Sequence, residues 1–169
     1  HMQMVFQDPF SSLNPRMRIG ESVGEGLRAH GVMNSHEREV YVRQLLADCG
    51  LPASSYGRFP HQFSGGQRQR ICLARALSLK PDLIIADEAV SALDVSVQKQ
   101  ILTLLEDLKT KYNLSYLFIS HDLRVVSGFC DRVLVMQHGR VVEQGQTQQV
   151  FEQPAHKYTQ HLLASIPGR

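Results

Sequence analysis

Two adjacent carboxylates, Asp87 and Glu88, end a short apolar run that reads LIIADE over residues 83–88. A continuous apolar run of this length is typical of a strand buried on both faces of a parallel sheet. Ligands of open α/β sheets bind at the carboxyl ends of the strands, so the pair is expected at a binding edge. There Asp87 could hold Mg²⁺ for phosphoryl transfer, and Glu88 could polarise an attacking water. The alternative is that both acids only cap the next turn.

His121 follows a second apolar run, LFIS, which is also predicted to be a buried strand. Parallel strands bring their ends to the same edge of a sheet, so His121 is expected near Asp87 and Glu88. A lone histidine is more often a helix cap or a packed side chain. Its position at a second strand end leaves the two interpretations evenly balanced.

The stretch FSGGQRQR predicts the start of a helix with an accessible backbone. Ser64 is a good N-cap residue, and Gly65 and Gly66 let another group approach the backbone closely. The N–H groups and the positive dipole end of such a terminus attract anions, of which phosphate is the commonest. A flexible turn before a helix is the equally open alternative. Arg68 and Arg70 are expected to be solvated or salt-bridged helix residues rather than ligands.

The secondary structure around these residues separates a helical, loop-rich first half from a second half in which strands and helices alternate. Strands are predicted at residues 2–6, 83–87 and 114–120, with a hairpin at His138-Gly139. Helices are predicted at 18–30, from Asn34 to Cys49, at 66–80, at 95–111, from Asp122, and in two short pieces around Pro154. Asn34 and Glu37 predict a capping box, and Gly50 predicts a left-handed helix end. The alternation predicts an α/β fold with a parallel sheet and an inserted helical subdomain.

The charge and composition of the chain argue against several classes of protein. The net charge is +2 and no block of Lys and Arg stands out, so no nucleic-acid partner is predicted. No apolar run approaches the length of a membrane span, and no secretory signal is visible. The three cysteines form no CxxC pair, and an odd count argues against a disulfide framework. The eight histidines show no metal-ligand spacing.

The order of the motifs is more specific than any single motif. Together they resemble the nucleotide-binding domain of ABC-type ATPases over almost the whole chain. In this resemblance Gln7 matches the Q-loop, Ser64-Gly65-Gly66-Gln67 the signature motif, Asp87-Glu88 the Walker B acids, Ser91-Ala92-Leu93-Asp94 the D-loop and His121 the switch histidine. The segment QDPFSSLNPRM and the tail QPAHKYTQHLL are similar to the dipeptide, oligopeptide and nickel importer ATPases, although Lys157 stands where that group usually has proline.

The resemblance implies a fold and a division of the chain. The fold is an ABC-type P-loop NTPase fragment, with a helical subdomain and a partial RecA-like parallel sheet that lacks the N-terminal Walker A portion. The implied parts are a strand into the Q-loop at 1–7, a helical signature subdomain at 8–75, a RecA-like core at 76–145 and a C-terminal extension of the peptide-importer type at 146–169.

The resemblance also implies ATP and Mg²⁺ as cofactors and a role for each site residue. Asp87 and Gln7 would contact the Mg²⁺ shell, Glu88 would act as general base, and His121 would stabilise the γ-phosphate. Ser64, Gly65, Gly66 and Gln67 would grip the γ-phosphate of ATP bound on a second nucleotide-binding domain, identical or different, and Asp94 would link the two sites. A membrane permease would contact the Q-loop and the helical segment, with the chain peripheral at the cytoplasmic face of the membrane.

Two departures from the family pattern matter. Ala89 replaces the usual proline after the Walker B acids, with a modest expected effect on loop stiffness. No glycine is followed by lysine, so a GxxxxGK[ST] loop is absent from these residues. The chain is therefore expected to start inside the domain and to be inactive alone. Its sheet is expected to have exposed edges, which predicts marginal stability, self-association or dependence on a partner segment.

Three functions remain open at this point. The first is the ATP-binding subunit of an ABC importer, with peptide uptake as the expected transport. The second is a naturally short interaction module that completes the ATP site of a partner. The third is an ABC ATPase of DNA repair or chromosome handling. It ranks low because residues 8–62 show neither sustained heptads nor cysteine pairs.

Overall fold

The computed structural model describes residues 1–166. The chain forms two compact units, His1–Ile119 and a second unit that begins at Ser120. The last three residues of the predicted C-terminal extension, 146–169, lie outside the described residues. The division into four functional parts remains a prediction, because compactness alone does not test it. Across residues 1–166, no helix combines the length and the apolarity that a membrane crossing requires.

The first unit joins a three-stranded sheet to four α-helices. The strands are β1 (Met2–Val5), β2 (Leu83–Asp87) and β3 (Ser115–Ile119), and the helices are α1 (Ile19–Ala29), α2 (Ser35–Asp48), α3 (Gly65–Leu77) and α4 (Val95–Tyr112). Two short 3-10 helices, Ala53–Gly57 and Pro60–Gln62, lie between α2 and α3. The sheet order is β1-β2-β3 and both pairings are parallel. The predicted α/β fold with a parallel sheet is confirmed.

The helix ends follow the local sequence. Asn34 accepts a hydrogen bond from the backbone N–H of Glu37 at 3.0 Å, and the Glu37 carboxylate accepts one from the N–H of Asn34 at 3.1 Å. This is the predicted capping box at the start of α2. Gly50 has φ +73, the left-handed conformation predicted for the residue that ends this helix. Helix α3, which begins with the glycine pair, follows this compact helical segment.

One face of the sheet is packed and the other is open. Val5, Ile84 and Ala86 are buried on the packed face. On the other face Leu117 is 43% exposed and Ile119 is 45% exposed. The expectation that LSYLFIS forms a buried strand is therefore wrong for β3. A parallel strand is apolar on both sides when both sides are covered, and in the described residues only one side of this sheet is covered.

In its described residues, 120–166, the second unit contains a hairpin and three short helices. They are α5 (Leu123–Phe129), β4 (Arg132–Gln137), β5 (Arg140–Gln146), α6 (Thr147–Glu152) and α7 (Lys157–Ala164). The two strands pair antiparallel around His138 and Gly139, which have φ +50 and +76. Two successive left-handed residues match the right-handed twist of a two-residue hairpin. The predicted hairpin and the two short helices after it are confirmed.

The cysteines supply a prediction about reactivity. Cys49 and Cys72 are buried, and burial raises the pKa of their thiols to about 12 and about 11. Because only the thiolate reacts, both thiols should resist Ellman's reagent at pH 8 until the protein unfolds. Cys130 is only partly buried and should react first. A Cys130→Ser variant should lose the fast phase, whereas three thiols of equal rate in the native chain would contradict this assignment.

Candidate functional site

Asp87 and Glu88 lie at the carboxyl end of the central strand, as predicted. Asp87 is the last residue of β2 and pairs with Ile119 of β3. The N–H of Glu88 then donates to the carbonyl oxygen of Ile119 at 2.9 Å. The Glu88 carbonyl oxygen accepts two hydrogen bonds from Ser91, from its N–H at 3.0 Å and from its hydroxyl at 2.8 Å. Both the N–H and the carbonyl oxygen of Glu88 are therefore fixed by hydrogen bonds.

Glu88 adopts a conformation that its sequence does not reveal. Its φ is +48, in the left-handed region that non-glycine residues seldom occupy. Such a conformation costs about 1–2 kcal/mol and persists only where surrounding contacts determine it. Here the contacts come from β3 and from the turn at Ser91. Left-handed residues occur at functional sites and also at turns, as at His138 of the hairpin, so this conformation is compatible with a chemical role for Glu88.

Gln7 lies at the same edge of the sheet. Val5, the last residue of β1, pairs with Ala86 of β2. Gln7 lies two residues after Val5, and Asp87 lies one residue after Ala86, so both residues lie at the carboxyl ends of these neighbouring strands. Gln7 is exposed and Asp87 is half-buried. An amide oxygen and a carboxylate oxygen are hard ligands, and Mg²⁺ is commonly held by one or two carboxylates together with substrate phosphates. The donor set fits that ion. Within the described part of the chain, no group of three or more His, Cys, Asp and Glu side chains forms a metal cluster.

The predicted N-cap of the glycine-rich stretch is confirmed. The Ser64 hydroxyl accepts a hydrogen bond from the N–H of Gln67 at 3.3 Å, and the Gln67 amide oxygen accepts one from the N–H of Ser64 at 3.0 Å. These two side chains therefore build the end of α3. The N–H groups of Gly65 and Gly66, in the first turn, have no carbonyl partner within the helix. These N–H groups are where an anion would bind, and that role remains a prediction.

The two glycines differ in their surroundings. A Cβ on Gly66 would lie 2.5 Å from Cγ1 of Val97, whereas a Cβ on Gly65 would lie 3.8 Å from Cδ2 of Leu93, an ordinary contact. Gly66 is thus required by the packing of α3 against the start of α4. Asp94 caps that helix by accepting the N–H of Val97 at 3.0 Å. The structure brings the segment around Asp94 beside the glycine pair.

Substitution of the two glycines should therefore have unequal effects. Gly66→Ala should lower the free energy of unfolding by about 1–3 kcal/mol, because its methyl group overlaps Val97. Gly65→Ala should leave stability within about 0.5 kcal/mol, as for a substitution away from tight packing. Urea denaturation of both variants measures the difference. Equal losses would show that the contact with Val97 does not distinguish the two positions.

Arg68 and Arg70 differ from expectation. Both are half-buried, and both donate to backbone carbonyls, Arg68 to Phe63 at 3.1 Å and Arg70 to Cys49 at 3.0 Å. The guanidinium of Arg68 also lies 3.9 Å above the ring centre of Phe10. The expectation of solvated or salt-bridged side chains is therefore corrected. The contacts of Arg68 with Phe10 and of Arg70 with Cys49 join segments far apart in the chain, so sequence spacing carries no signal for them.

His121 belongs to the second unit and is exposed. The next residue, Asp122, caps α5 by accepting the N–H of Arg124 at 2.9 Å. The cap is therefore Asp122 and not His121. The predicted proximity of His121 to Asp87 and Glu88 remains a prediction, as do the roles of all the site residues.

Comparison with known proteins identifies the family. A family model described as ABC transporter matches residues 1–91, and one described as the C-terminal region of oligopeptide/dipeptide transporters matches residues 142–168. The oligopeptide transport ATP-binding protein AppF of Bacillus subtilis strain 168 is 53% identical over 167 residues, which cover 99% of this chain and 51% of AppF. The glutathione import ATP-binding protein GsiA of Escherichia coli K12 is 53% identical over 166 residues, which cover 98% of this chain and 27% of GsiA.

A solved structure agrees with these matches. It is that of cbiO1 from Clostridium perfringens, described as part of the ABC transporter complex cbiONQ, with a TM-score of 0.81 and 28% identity. The match covers 90% of this chain and 59% of cbiO1. The chain thus spans about half the length of AppF and about a quarter of GsiA. The chain belongs to the ABC transporter family, and the part of the family's architecture that it represents is an ATP-binding domain.

Proposed function

We propose that this chain acts in the ATP-hydrolysing subunit of an ABC importer that takes up peptides. The observation that carries the proposal is the carboxylate pair Asp87 and Glu88 at the end of β2, with Glu88 held at φ +48. The match of residues 142–168 to the C-terminal region of oligopeptide/dipeptide transporters supports the peptide class. The names of AppF and GsiA, for oligopeptide transport and glutathione import, point the same way.

Four site residues would each have a role towards the nucleotide. Asp87 and Gln7 would hold Mg²⁺, which when bound with ATP neutralises charge on the transferred phosphoryl group. Glu88 would take a proton from the attacking water. His121 would donate a hydrogen bond to an oxygen of the γ-phosphate. The half-buried position of Asp87 and the restrained backbone of Glu88 suit these roles.

The signature turn would act on a second ATP-binding domain. Ser64 to Gln67 would bind the γ-phosphate of the ATP held there, and Asp94 would link the two sites. The surroundings of Gly65 support this assignment, because its contacts within the chain do not require glycine. Its bare backbone leaves room for an anion at the positive end of α3. Coupling to a permease would occur through the segment after Gln7 and the helical residues 8–62, with the chain peripheral at the cytoplasmic face of the membrane.

The chain alone and the chain joined to further parts of an ATP-binding domain should differ in their binding of ATP. The 169 residues contain no GxxxxGK[ST] loop, so they offer no such cradle for the β- and γ-phosphates. The chain alone should show no Mg-ATP binding by calorimetry. A chimaera that joins it to the part of AppF that it does not cover should bind and hydrolyse Mg-ATP.

Two outcomes of this experiment decide against the proposal. Tight, magnesium-dependent binding by the chain alone would show that other residues hold the phosphates. A folded chimaera that binds ATP without hydrolysing it would remove the catalytic assignment. A matched Ser64→Ala chimaera should bind ATP normally and hydrolyse it slowly, because the signature turn is assigned to the partner's site.

A further inference from the structure

The segment that follows Gln7 is a compact turn built by Asp8. The Asp8 carboxylate accepts the N–H of Phe10 at 2.8 Å, and the Asp8 carbonyl oxygen accepts the hydroxyl of Ser12 at 2.7 Å. The hydrogen bond from Phe10, with that from Ser11, holds the pKa of Asp8 below its ordinary value. The turn presents Phe10 outward, with 59% of the residue exposed. The turn is thus held together by hydrogen bonds among its own residues.

Arg68 connects this turn to the signature motif. Its guanidinium lies 3.9 Å above the ring centre of Phe10, and its Nε donates to the carbonyl oxygen of Phe63 at 3.1 Å. Phe63 immediately precedes the N-cap Ser64, and Arg68 immediately follows Gln67. A Cβ added to Gly65 would lie 4.0 Å from Cε2 of the Phe10 ring, so the ring is close to the first turn of α3.

A second arginine holds the other end of the turn. Arg75 donates to the carbonyl oxygen of Ser12 at 2.5 Å. Arg68 and Arg75 are seven residues apart, two turns of helix, so both lie on one face of α3. The turn after Gln7 is thus attached to α3 at two points. The Arg75 contact is a backbone hydrogen bond, and the Arg68 contact is a cation–π stack on an exposed ring.

We propose that Phe10 and Arg68 are positioning residues that couple the location of Gln7 to that of the signature turn. The inference rests on the proposed function, in which Gln7 serves the ATP of its own domain and Ser64 to Gln67 serve the ATP of the partner. A displacement of the Gln7 turn is transmitted through the Phe10–Arg68 stack to the N-terminus of α3. Neither residue contacts the reacting atoms.

Hydrogen exchange of the 169-residue chain, resolved to single amides, tests the coupling without nucleotide. Phe10→Ala should speed exchange of the Gln67 and Arg68 amides, which are bonded to Ser64, about two- to fivefold. Arg68→Gln should speed exchange of the Phe10 amide to a similar degree. Both substitutions remove the stack of Arg68 on Phe10, and Arg68→Gln also removes the hydrogen bond from Arg68 Nε to the carbonyl oxygen of Phe63. In the double variant, Phe10→Ala should therefore add little to the effect of Arg68→Gln. Phe10→Tyr should behave like the native chain.

The controls separate coupling from general loosening. Arg43 lies 4.5 Å above the ring of Tyr56, the same kind of contact within the same unit, and Arg43→Ala should leave the Gln67 and Phe10 amides unchanged. Additive effects in the double variant, or equal acceleration of amides throughout α4, would overturn the proposal.

The AppF chimaera supplies the functional measurement. There Phe10→Ala should lower kcat for ATP hydrolysis about two- to fivefold while KM for ATP stays within about twofold, because positioning and not nucleotide binding is impaired. An unchanged kcat would also count against the coupling. Because the exchange measurement needs no ATP, failure of the proposed ATPase function and failure of this coupling are distinguishable.

Discussion

Glu88→Gln should lower the rate of ATP hydrolysis by the AppF chimaera about 10²- to 10⁴-fold, the usual contribution of a general base. Glutamine has nearly the same shape but cannot take a proton from water. The backbone hydrogen bonds of this residue with Ile119 and Ser91 remain, and a glutamine amide oxygen can still accept the 3.5 Å bond that the Ser91 hydroxyl donates to the Glu88 carboxylate. The fold and the binding of ATP should therefore be retained.

The measurement is the steady-state ATPase rate beside the calorimetric affinity for Mg-ATP. Glu106→Gln is the matched control, because Glu106 is an exposed glutamate on α4 away from the sheet edge. It should leave both quantities unchanged. A Glu88→Gln chimaera that hydrolyses ATP at the native rate would remove Glu88 from the mechanism. Loss of affinity with an unchanged maximal rate would instead assign it to binding.

The open face of the sheet should make the isolated 169-residue chain self-associate at micromolar concentration. Met2 and Met4 of β1 and Leu117 and Ile119 of β3 are exposed, and the sheet register places them on the same side. Full burial of one such side chain is worth about 1.5–3 kcal/mol. In the described sheet β3 also pairs only with β2, so its other edge can accept a further strand.

Replacing Leu117 and Ile119 together by threonine should weaken this association about 10- to 100-fold, since most of the apolar area of two side chains is lost. Threonine is suited to strands, so β3 should persist. Sedimentation velocity over a range of concentrations measures the change. Val95→Thr is the control, because Val95 is 82% exposed at the start of α4, away from this face, and should change nothing. A native chain that remains a monodisperse monomer would contradict the prediction.

Spacing along the chain predicts some features of the candidate site and not others. Strand ends are local features, so Asp87 could be placed at the carboxyl edge of the sheet from the sequence, whereas Gln7 was assigned to the site through the family resemblance. The strain at Glu88 could not be predicted, because it depends on a hydrogen bond to Ile119, 31 residues away. Ala89 lies in the same turn and is buried. Its burial could not be inferred from the presence of alanine where the family usually has proline.

The sequence by itself determined the features that depend on residues within about one helical turn. The capping box of Asn34, the N-cap Ser64, the left-handed Gly50 and the His138-Gly139 hairpin are all of this kind, and all were confirmed. Their hydrogen bonds join groups a few residues apart, so residue type and order suffice to specify them.

Only the tertiary structure decided which side of each strand is covered and which distant segments meet. LSYLFIS has the composition of a buried strand, but burial depends on what packs against it, and Leu117 is exposed. Gly65 and Gly66 are adjacent residues of the same type, so the sequence does not distinguish them. The structure does, because Val97 of α4 leaves no room for a Cβ on Gly66. The tertiary structure also decides that Arg68 meets Phe10. Contacts over long separations depend on the path of the whole chain, and no local pattern encodes them.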